Sequence, residues 1–195
     1  MTDTNKNVII VLHEIYGIND FIKSQCLMFK HMGYDVSCPD LLNRKSFKYD
    51  EVKEAYAYFM LNVGFDYYHE INRMIDQLKT RYEKVLVIGY SVGATLAWRC
   101  SENLNCDGII ACYGSRIRDF TELDPRCPVL LLPAKECTFD INKMIEKLQD
   151  KANLKIISFN AEHGFLDAAS SSYDKYLSES AEKYILKFIT DCCKS

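Results

Sequence analysis

One serine in this sequence stands in the local setting that a catalytic nucleophile requires. Ser91 is the centre of Gly89-Tyr90-Ser91-Val92-Gly93, a G-x-S-x-G pattern with an apolar run before it and a helix-forming stretch after it. A nucleophile at the tip of a sharp strand-to-helix turn needs small neighbours on both sides, so that strand and helix can approach closely. The helix that follows would direct its N-terminal N–H groups at a developing oxyanion. The pattern therefore predicts a nucleophile elbow at Ser91.

A serine hydroxyl needs a general base, because it is a poor nucleophile at neutral pH. Of the four histidines, His163 follows the last predicted strand and precedes the last predicted helix. That position completes the chain order of nucleophile, acid and base that α/β-hydrolases use. His31 and His69 fit a helix end and a helix surface, and His13, after the first strand, fits a wall of the site better than a base. We therefore predict that His163 is the base.

The base in turn needs a carboxylate partner that fixes its tautomer. This carboxylate is expected after the strand predicted at Val129–Leu132, where the loop contains Glu136 and Asp140. Asp140 also has a structural explanation as the N-cap of the helix that begins at Ile141. We therefore prefer Glu136 as the acid and keep Asp140 as the alternative.

An oxyanion hole requires two backbone N–H donors. One is expected from Val92, the residue after the nucleophile, and the other from Ile15, in the loop after the first strand. Glu14, Tyr16 and Tyr90 adjoin these positions in the sequence, and we expect them to line the substrate pocket.

The elements that must position these residues alternate between strands and helices. The apolar runs are mostly continuous, as expected of parallel strands covered on both faces. The pattern predicts an α/β fold, a three-layer α/β/α sandwich with a mostly parallel sheet of about six or seven strands, as one domain over residues 1–195. In such a sheet the site lies at the carboxyl ends of the strands. The predicted strands are Val8–Leu12, Tyr34–Cys38, Val85–Ile88, Gly108–Cys112, Val129–Leu132 and Lys155–Phe159, and the predicted helices are Phe21–Met32, Asp50–Leu61, Asp66–Thr80, Ser91–Glu102, Asp140–Lys151 and Tyr173–Cys192.

Composition excludes several classes of partner. The net charge of −3 comes without a basic stripe, which argues against a nucleic-acid surface. The start of the chain is polar, unlike a secretory signal, and Val8–Leu12 is too short to span a membrane. Nine cysteines without metal-ligand spacing indicate reduced thiols in a cytoplasmic protein, with disulfides as the less favoured alternative. We expect no metal, and a monomer or weak homodimer.

Several motifs together resemble the dienelactone hydrolase family. They run in that family's order over nearly the whole chain. The resemblance implies an α/β-hydrolase domain without the first antiparallel strands of larger relatives. It also implies hydrolysis of enol-lactones or small carboxylic esters with no metal or organic cofactor. The motifs are His13–Asp20, Gly33–Leu42, the elbow at Gly89–Gly93, Tyr113-Gly114 and Glu162–Phe165.

The sequence departs from the family's pattern in two places. The family usually has a cysteine nucleophile whose ionisation is controlled by the glutamate matching Glu14, whereas this chain has Ser91 and leaves Glu14 a pocket-shaping role. In the acid loop, Glu136 or Cys137 matches the family's aspartate, depending on a gap. The family's substrate-binding arginines have no clear match, and Arg44 is either an anion ligand or a solvated surface residue.

Three functions follow from these residues. The first is a serine hydrolase that cleaves a small carboxylic ester, enol-lactone or thioester through an acyl-enzyme. The second is a non-catalytic binding or regulatory protein that keeps the elbow but has a degraded triad. The third is an acyltransferase that uses the same residues with an acceptor other than water.

Overall fold

The fold is known from a computed structural model, which describes residues 6–136 and 139–194. Six strands lie within these residues, and each coincides with one of the predicted apolar runs to within a few residues. The largest difference is in the last strand, which begins one residue earlier than predicted and ends at Ile156. The strands are β1 (Asn7–Leu12), β2 (Asp35–Ser37), β3 (Lys84–Tyr90), β4 (Gly108–Cys112), β5 (Val129–Leu132) and β6 (Leu154–Ile156).

The six strands form one parallel sheet in the order β2-β1-β3-β4-β5-β6. In register, Leu12 at the end of β1 lies beside Gly89 of β3, and Tyr90 of β3 lies beside Cys112 of β4. Because all strands run in one direction, their carboxyl ends meet along one edge of the sheet. The loops that follow β1, β3, β4 and β5 are therefore neighbours in space.

Six helices connect and cover the strands, close to the predicted positions. The predicted helix Asp66–Thr80 begins with a short 3₁₀ turn, Phe65–Tyr67, and a second 3₁₀ turn, Ser115–Asp119, follows β4. The helices are α1 (Asp20–His31), α2 (Val52–Asn62), α3 (Tyr68–Lys79), α4 (Val92–Arg99), α5 (Ile141–Leu148) and α6 (Lys175–Lys194). Within the described residues, no helix has the length and apolar character needed to cross a membrane.

Local signals set the ends of these helices. The Asn19 side chain accepts a hydrogen bond from the Ile22 N–H at 3.0 Å and caps α1. The same helix ends at His31, and the chain turns away from it at Gly33, whose φ of +89° is a conformation that favours glycine. Asp140 caps α5 by accepting from the Asn142 N–H at 3.0 Å, as its capping interpretation predicts.

The two faces of the sheet are buried by different helices. Alternate residues of the strands point to opposite faces. One face packs against α1 and α6 through residues such as Ile9, Ile88 and Leu132. The other packs against α2, α3, α4 and α5 through residues such as Ile10, Val87 and Leu131. The result is the three-layer sandwich predicted from the alternation of strands and helices.

Candidate active site

The turn between β3 and α4 holds Ser91 in an unusual backbone conformation. Its φ of 55° and ψ of −116° lie in a region that residues with a side chain seldom adopt. A hydrogen bond from the Ser91 N–H to the Cys112 carbonyl, 3.0 Å long, ties the turn to β4. The first turn of α4 begins with Ala94 donating to the Ser91 carbonyl at 3.1 Å. The strained turn presents the Ser91 side chain at the carboxyl edge of the sheet.

Both glycines of the elbow are required because a side chain would collide with nearby backbone atoms, not because of their φ angles. A Cβ atom on Gly89 would lie 2.1 Å from the carbonyl oxygen of Gly93. A Cβ atom on Gly93 would lie 2.4 Å from the carbonyl oxygen of Leu12 in β1. Because both opposing atoms belong to the backbone, neither can move aside easily. The small neighbours predicted for the turn therefore let β3, α4 and β1 meet.

Ser91, His163 and Glu136 lie in one hydrogen-bonded chain. The Ser91 Oγ is 2.9 Å from the His163 Nε2, and the His163 Nδ1 is 2.6 Å from the Glu136 Oε1. Glu136 is mostly buried, with 14 % of its side chain exposed, whereas His163 is 36 % exposed. A carboxylate at Nδ1 holds the proton on that nitrogen and leaves Nε2 free to accept the serine proton.

A short backbone contact explains why the acid and the histidine meet. Beyond the last strands, Lys135 and Glu162 form an isolated parallel bridge, and the Lys135 N–H donates to the Ala161 carbonyl at 2.7 Å. The residue that follows each partner is then Glu136 in one segment and His163 in the other. Cys137, the alternative match to the family's aspartate, lies outside the described residues.

The expected oxyanion-hole residues border the same space. Ile15 and Val92 both line the cavity at Ser91. Val92 is the first residue of α4, where a helix leaves its N–H groups without intrahelical partners. In the described part of the chain, neither the Ile15 N–H nor the Val92 N–H is used in another hydrogen bond. Both donors are available to a carbonyl oxygen placed over Ser91.

Two cavities meet at Ser91 and His163. The first, of about 280 Å³, extends towards Thr95, Arg116 and Arg118, and we term it the arginine cavity. It gives a substrate room on the Glu136 side of the nucleophile.

The second, of about 160 Å³, extends towards Glu14, Tyr16, Tyr49 and Asp167, and we term it the acidic cavity. Two openings at one nucleophile can hold the two parts of a substrate on either side of a bond to be cleaved.

The acidic cavity contains a carboxyl group with an altered proton affinity. Burial raises the pKa of Glu14 to about 7, the facing His163 imidazole opposes that shift, and the Asp167 carboxylate adds to it. The hydroxyl of Tyr113 lies close to this carboxyl without meeting hydrogen-bond geometry. Glu14 therefore changes its charge near neutral pH beside the candidate nucleophile.

Asp167, the second carboxyl group of this cavity, is firmly held. Its side chain accepts a hydrogen bond from the Tyr49 hydroxyl and, at 2.9 Å, one from the Ala169 N–H. Asn19 donates to the same Tyr49 hydroxyl at 3.0 Å. The carboxylate pair Glu14 and Asp167 is thus a fixed feature of the wall.

The structure places Glu14 and Tyr16 in the wall of the acidic cavity, as expected, but corrects the expectation for Tyr90. Tyr90 is fully buried on the α1 face of the sheet, where its hydroxyl donates to the Gln25 Oε1 at 2.9 Å. Strand alternation causes this, because Ile88 and Tyr90 point to the same face and that face is covered by α1 and α6.

Of the two alternatives for Arg44, the structure favours the surface residue, since Arg44 is exposed, its guanidinium stacks on the Phe47 ring at 3.6 Å, and it lines neither cavity. One further expectation is corrected. His13 is not a wall of the site, because it is fully buried and lines neither cavity. Its Nε2 accepts from the Leu41 N–H at 3.0 Å and its Nδ1 donates to the Glu14 carbonyl at 2.6 Å, so it has a structural role. Burial lowers the pKa of His13, which keeps it neutral.

Sequence reasoning missed the two arginines that line the first cavity. Arg116 and Arg118 follow Tyr113-Gly114 at the end of β4, in the 3₁₀ turn that leads away from the sheet. Their position after a strand's carboxyl end is a signal that the sequence carried. For the described residues, no group of histidine, cysteine, aspartate and glutamate has an arrangement suited to a metal ion.

Comparisons with known proteins identify the family of the chain. The model of the dienelactone hydrolase family matches residues 1–192 of the chain. The chain is 39 % identical over 180 residues to the uncharacterized protein YczH of Bacillus subtilis (strain 168), covering 88 % of this chain and 87 % of that protein.

Two solved structures share the fold at low sequence identity. A candidate dienelactone hydrolase from Klebsiella pneumoniae matches with a TM-score of 0.84 and 18 % identity, over 97 % of this chain and 89 % of that one. The dienelactone hydrolase-like promiscuous phosphotriesterase P91 from metagenomic libraries matches with a TM-score of 0.74 and 14 % identity, over 98 % and 88 % of the two chains.

Proposed function

Because this chain belongs to the dienelactone hydrolase family, we propose that it is a serine hydrolase that cleaves a small carboxylic ester, enol-lactone or thioester through an acyl-enzyme. The observation that carries the proposal is the hydrogen-bonded chain from Ser91 through His163 to Glu136, with distances of 2.9 and 2.6 Å. A non-catalytic member with a degraded triad would lack such a chain. This geometry therefore favours an enzyme over a binding protein.

In the first half of the reaction, the Ser91 Oγ attacks the substrate carbonyl while the His163 Nε2 takes the serine proton. The imidazolium that forms is stabilised by the Glu136 carboxylate at Nδ1. His163 then gives the proton to the leaving oxygen or sulfur, and the bond to the leaving group breaks. The product of this half is an ester between Ser91 and the acyl group.

The charge that develops on the carbonyl oxygen needs donors that are already in place. The N–H groups of Ile15 and Val92 fill this role in the proposal, with the N-terminus of α4 adding its favourable field. In the second half, His163 takes a proton from a water molecule whose oxygen attacks the acyl carbon. The bond between the acyl carbon and the Ser91 Oγ then breaks, His163 returns the proton to Oγ, and the carboxylic acid leaves.

A panel of p-nitrophenyl esters, thioesters and enol-lactones tests the proposal. We expect turnover of at least one class, with a burst of the first product when deacylation is slower than acylation. Product analysis with added alcohols or thiols separates a hydrolase from an acyltransferase. Absence of turnover across the panel, by a folded protein, would favour the non-catalytic alternative.

A further inference from the structure

The two cavities beside Ser91 carry opposite charges. Arg116 and Arg118 outnumber the single carboxylate, Glu136, in the arginine cavity, whereas Glu14 and Asp167 line the acidic cavity. Charges of opposite sign on the two sides of a nucleophile give a charged substrate one favoured orientation. An anionic part of the substrate is attracted to the first cavity and repelled by the second.

The guanidinium groups of the arginine cavity are held in place but incompletely neutralised. Arg116 Nε lies 2.8 Å and Arg118 Nε 3.8 Å from the carboxylate of Asp119, so two cations share one anion. Arg118 also donates to the Ser115 carbonyl at 2.7 Å and stacks on the Phe139 ring at 4.3 Å. A guanidinium carries five N–H donors, and these contacts leave several of them for a ligand.

A second polar group in the arginine cavity lacks a partner. The Thr95 hydroxyl is fully buried and has no hydrogen-bond partner within the described residues. Thr95 lines the arginine cavity together with Ser91, Arg116 and Arg118. Buried hydroxyl groups in proteins are nearly always paired, so this one indicates a place where a polar ligand belongs.

Arg118 also lines a neighbouring hollow of about 360 Å³, which we term the outer hollow. Lys143 and Lys147 line it from one face of α5, one turn apart. Across residues 6–136 and 139–194, neither lysine forms an ion pair. The two spaces together hold four cations against the carboxylates of Asp119, Asp140 and Glu136, leaving one positive charge in excess. Glu136 is engaged with the His163 Nδ1 at 2.6 Å.

We propose, on the basis of the proposed function, that the substrate is an ester or thioester with a phosphate-type dianion that binds at Arg116, Arg118, Lys143 and Lys147. The positive excess attracts an anion, and four cationic side chains offer donors to a group with several acceptor oxygens. The flat forks of arginine suit the several acceptor oxygens of a phosphoryl group, and lysine adds a point charge. The dianion lies on the arginine side, and the ester carbonyl lies over Ser91.

Matched substrates test the inference. One series has acetate esters of alkyl alcohols of increasing length that end in phosphate, carboxylate or methyl. The other carries the same end groups on the acyl chain. We expect kcat/KM for the phosphate compound to exceed that of the methyl compound by about 10- to 100-fold in one series, since charge-assisted hydrogen bonds are worth this much. The preference should shrink as salt rises.

Variants locate the subsite. Arg116→Gln and Arg118→Gln should each lower the phosphate-to-methyl preference by about tenfold, and Lys143→Gln/Lys147→Gln should lower it several-fold. The matched control is Lys175→Gln/Lys183→Gln on α6, which removes the same charge from exposed positions on the other side of the sheet and should keep the preference.

The possible outcomes distinguish a failure of the proposed subsite from a failure of the proposed hydrolase. Hydrolysis of the methyl ester without a phosphate preference overturns the subsite and leaves the serine hydrolase intact. A preference for carboxylate over phosphate overturns the dianion, and a preference that survives the Arg118 and lysine variants overturns the location. Failure of the folded wild type to cleave any compound overturns the hydrolase and the subsite together.

Discussion

Replacing Glu14 by glutamine should change how the stability of the protein depends on pH. Glu14 is buried beside His163 and Asp167, and its pKa is raised from 4.5 to about 7, mainly by burial. The folded chain therefore holds the Glu14 proton up to about pH 7, whereas the unfolded chain releases it near pH 4.5. Raising the pH through this window favours the unfolded state of the wild type. Glutamine resembles the protonated carboxyl and has no such dependence.

The size of the effect follows from the pKa difference. A difference of about 2.5 units corresponds to about 3 kcal/mol of unfolding free energy, because each unit is worth about 1.4 kcal/mol. The unfolding free energy of Glu14→Gln, relative to that of the wild type, should therefore rise by about 3 kcal/mol between pH 4.5 and pH 8. Below pH 4.5 the difference between the two proteins should be constant.

Urea unfolding of both proteins at several pH values measures this difference. Glu122→Gln, which alters an exposed glutamate, is the matched control and should follow the wild type at every pH. An unfolding free-energy difference between Glu14→Gln and the wild type that stays constant from pH 4.5 to 8 would refute the reasoning. The Glu14 carboxyl would then ionise as freely in the folded chain as in the unfolded one.

Three other substitutions test the parts of the site. Glu136→Gln should lower kcat by on the order of 10⁴ at unchanged stability, because the tautomer and charge of His163 lose their partner. Asp140→Ala should cost about 1 kcal/mol of stability in thermal unfolding through its lost cap, and a fall in kcat like that of Glu136→Gln would reassign the acid. Gly93→Ala should cost about 3 kcal/mol or prevent folding, since its Cβ would lie 2.4 Å from the Leu12 carbonyl, and near-wild-type urea stability would contradict this contact.

Local sequence signals were sufficient for the elements and for much of the site. The apolar runs predicted the six strands found in the described residues, and Asp140 caps α5 as its residue type suggests. The meeting of Ser91, His163 and Glu136 could be predicted because topology brings the ends of parallel strands to one edge. These predictions needed only periodicity, capping chemistry and the order of the elements.

The features that the sequence did not predict depend on which face of the sheet a side chain occupies and on contacts between residues far apart in the chain. Tyr90 adjoins the nucleophile along the chain, but strand alternation turns it to the opposite face of the sheet. The hydrogen bond between Tyr49 and Asp167 joins residues 118 positions apart, which no local pattern indicates. The arginine cavity likewise forms only when the loop after β4 folds beside α4.

The central claim is that Ser91, activated by His163, is the nucleophile. The most direct test is mass spectrometry of the protein treated with a fluorophosphonate probe, followed by peptide mapping. The claim predicts one adduct on Ser91, no adduct in Ser91→Ala, and labelling of His163→Ala slower by orders of magnitude. Turnover in Ser91→Ala should fall by up to about 10⁶-fold. An adduct on another residue, or substantial turnover by Ser91→Ala, would contradict the claim.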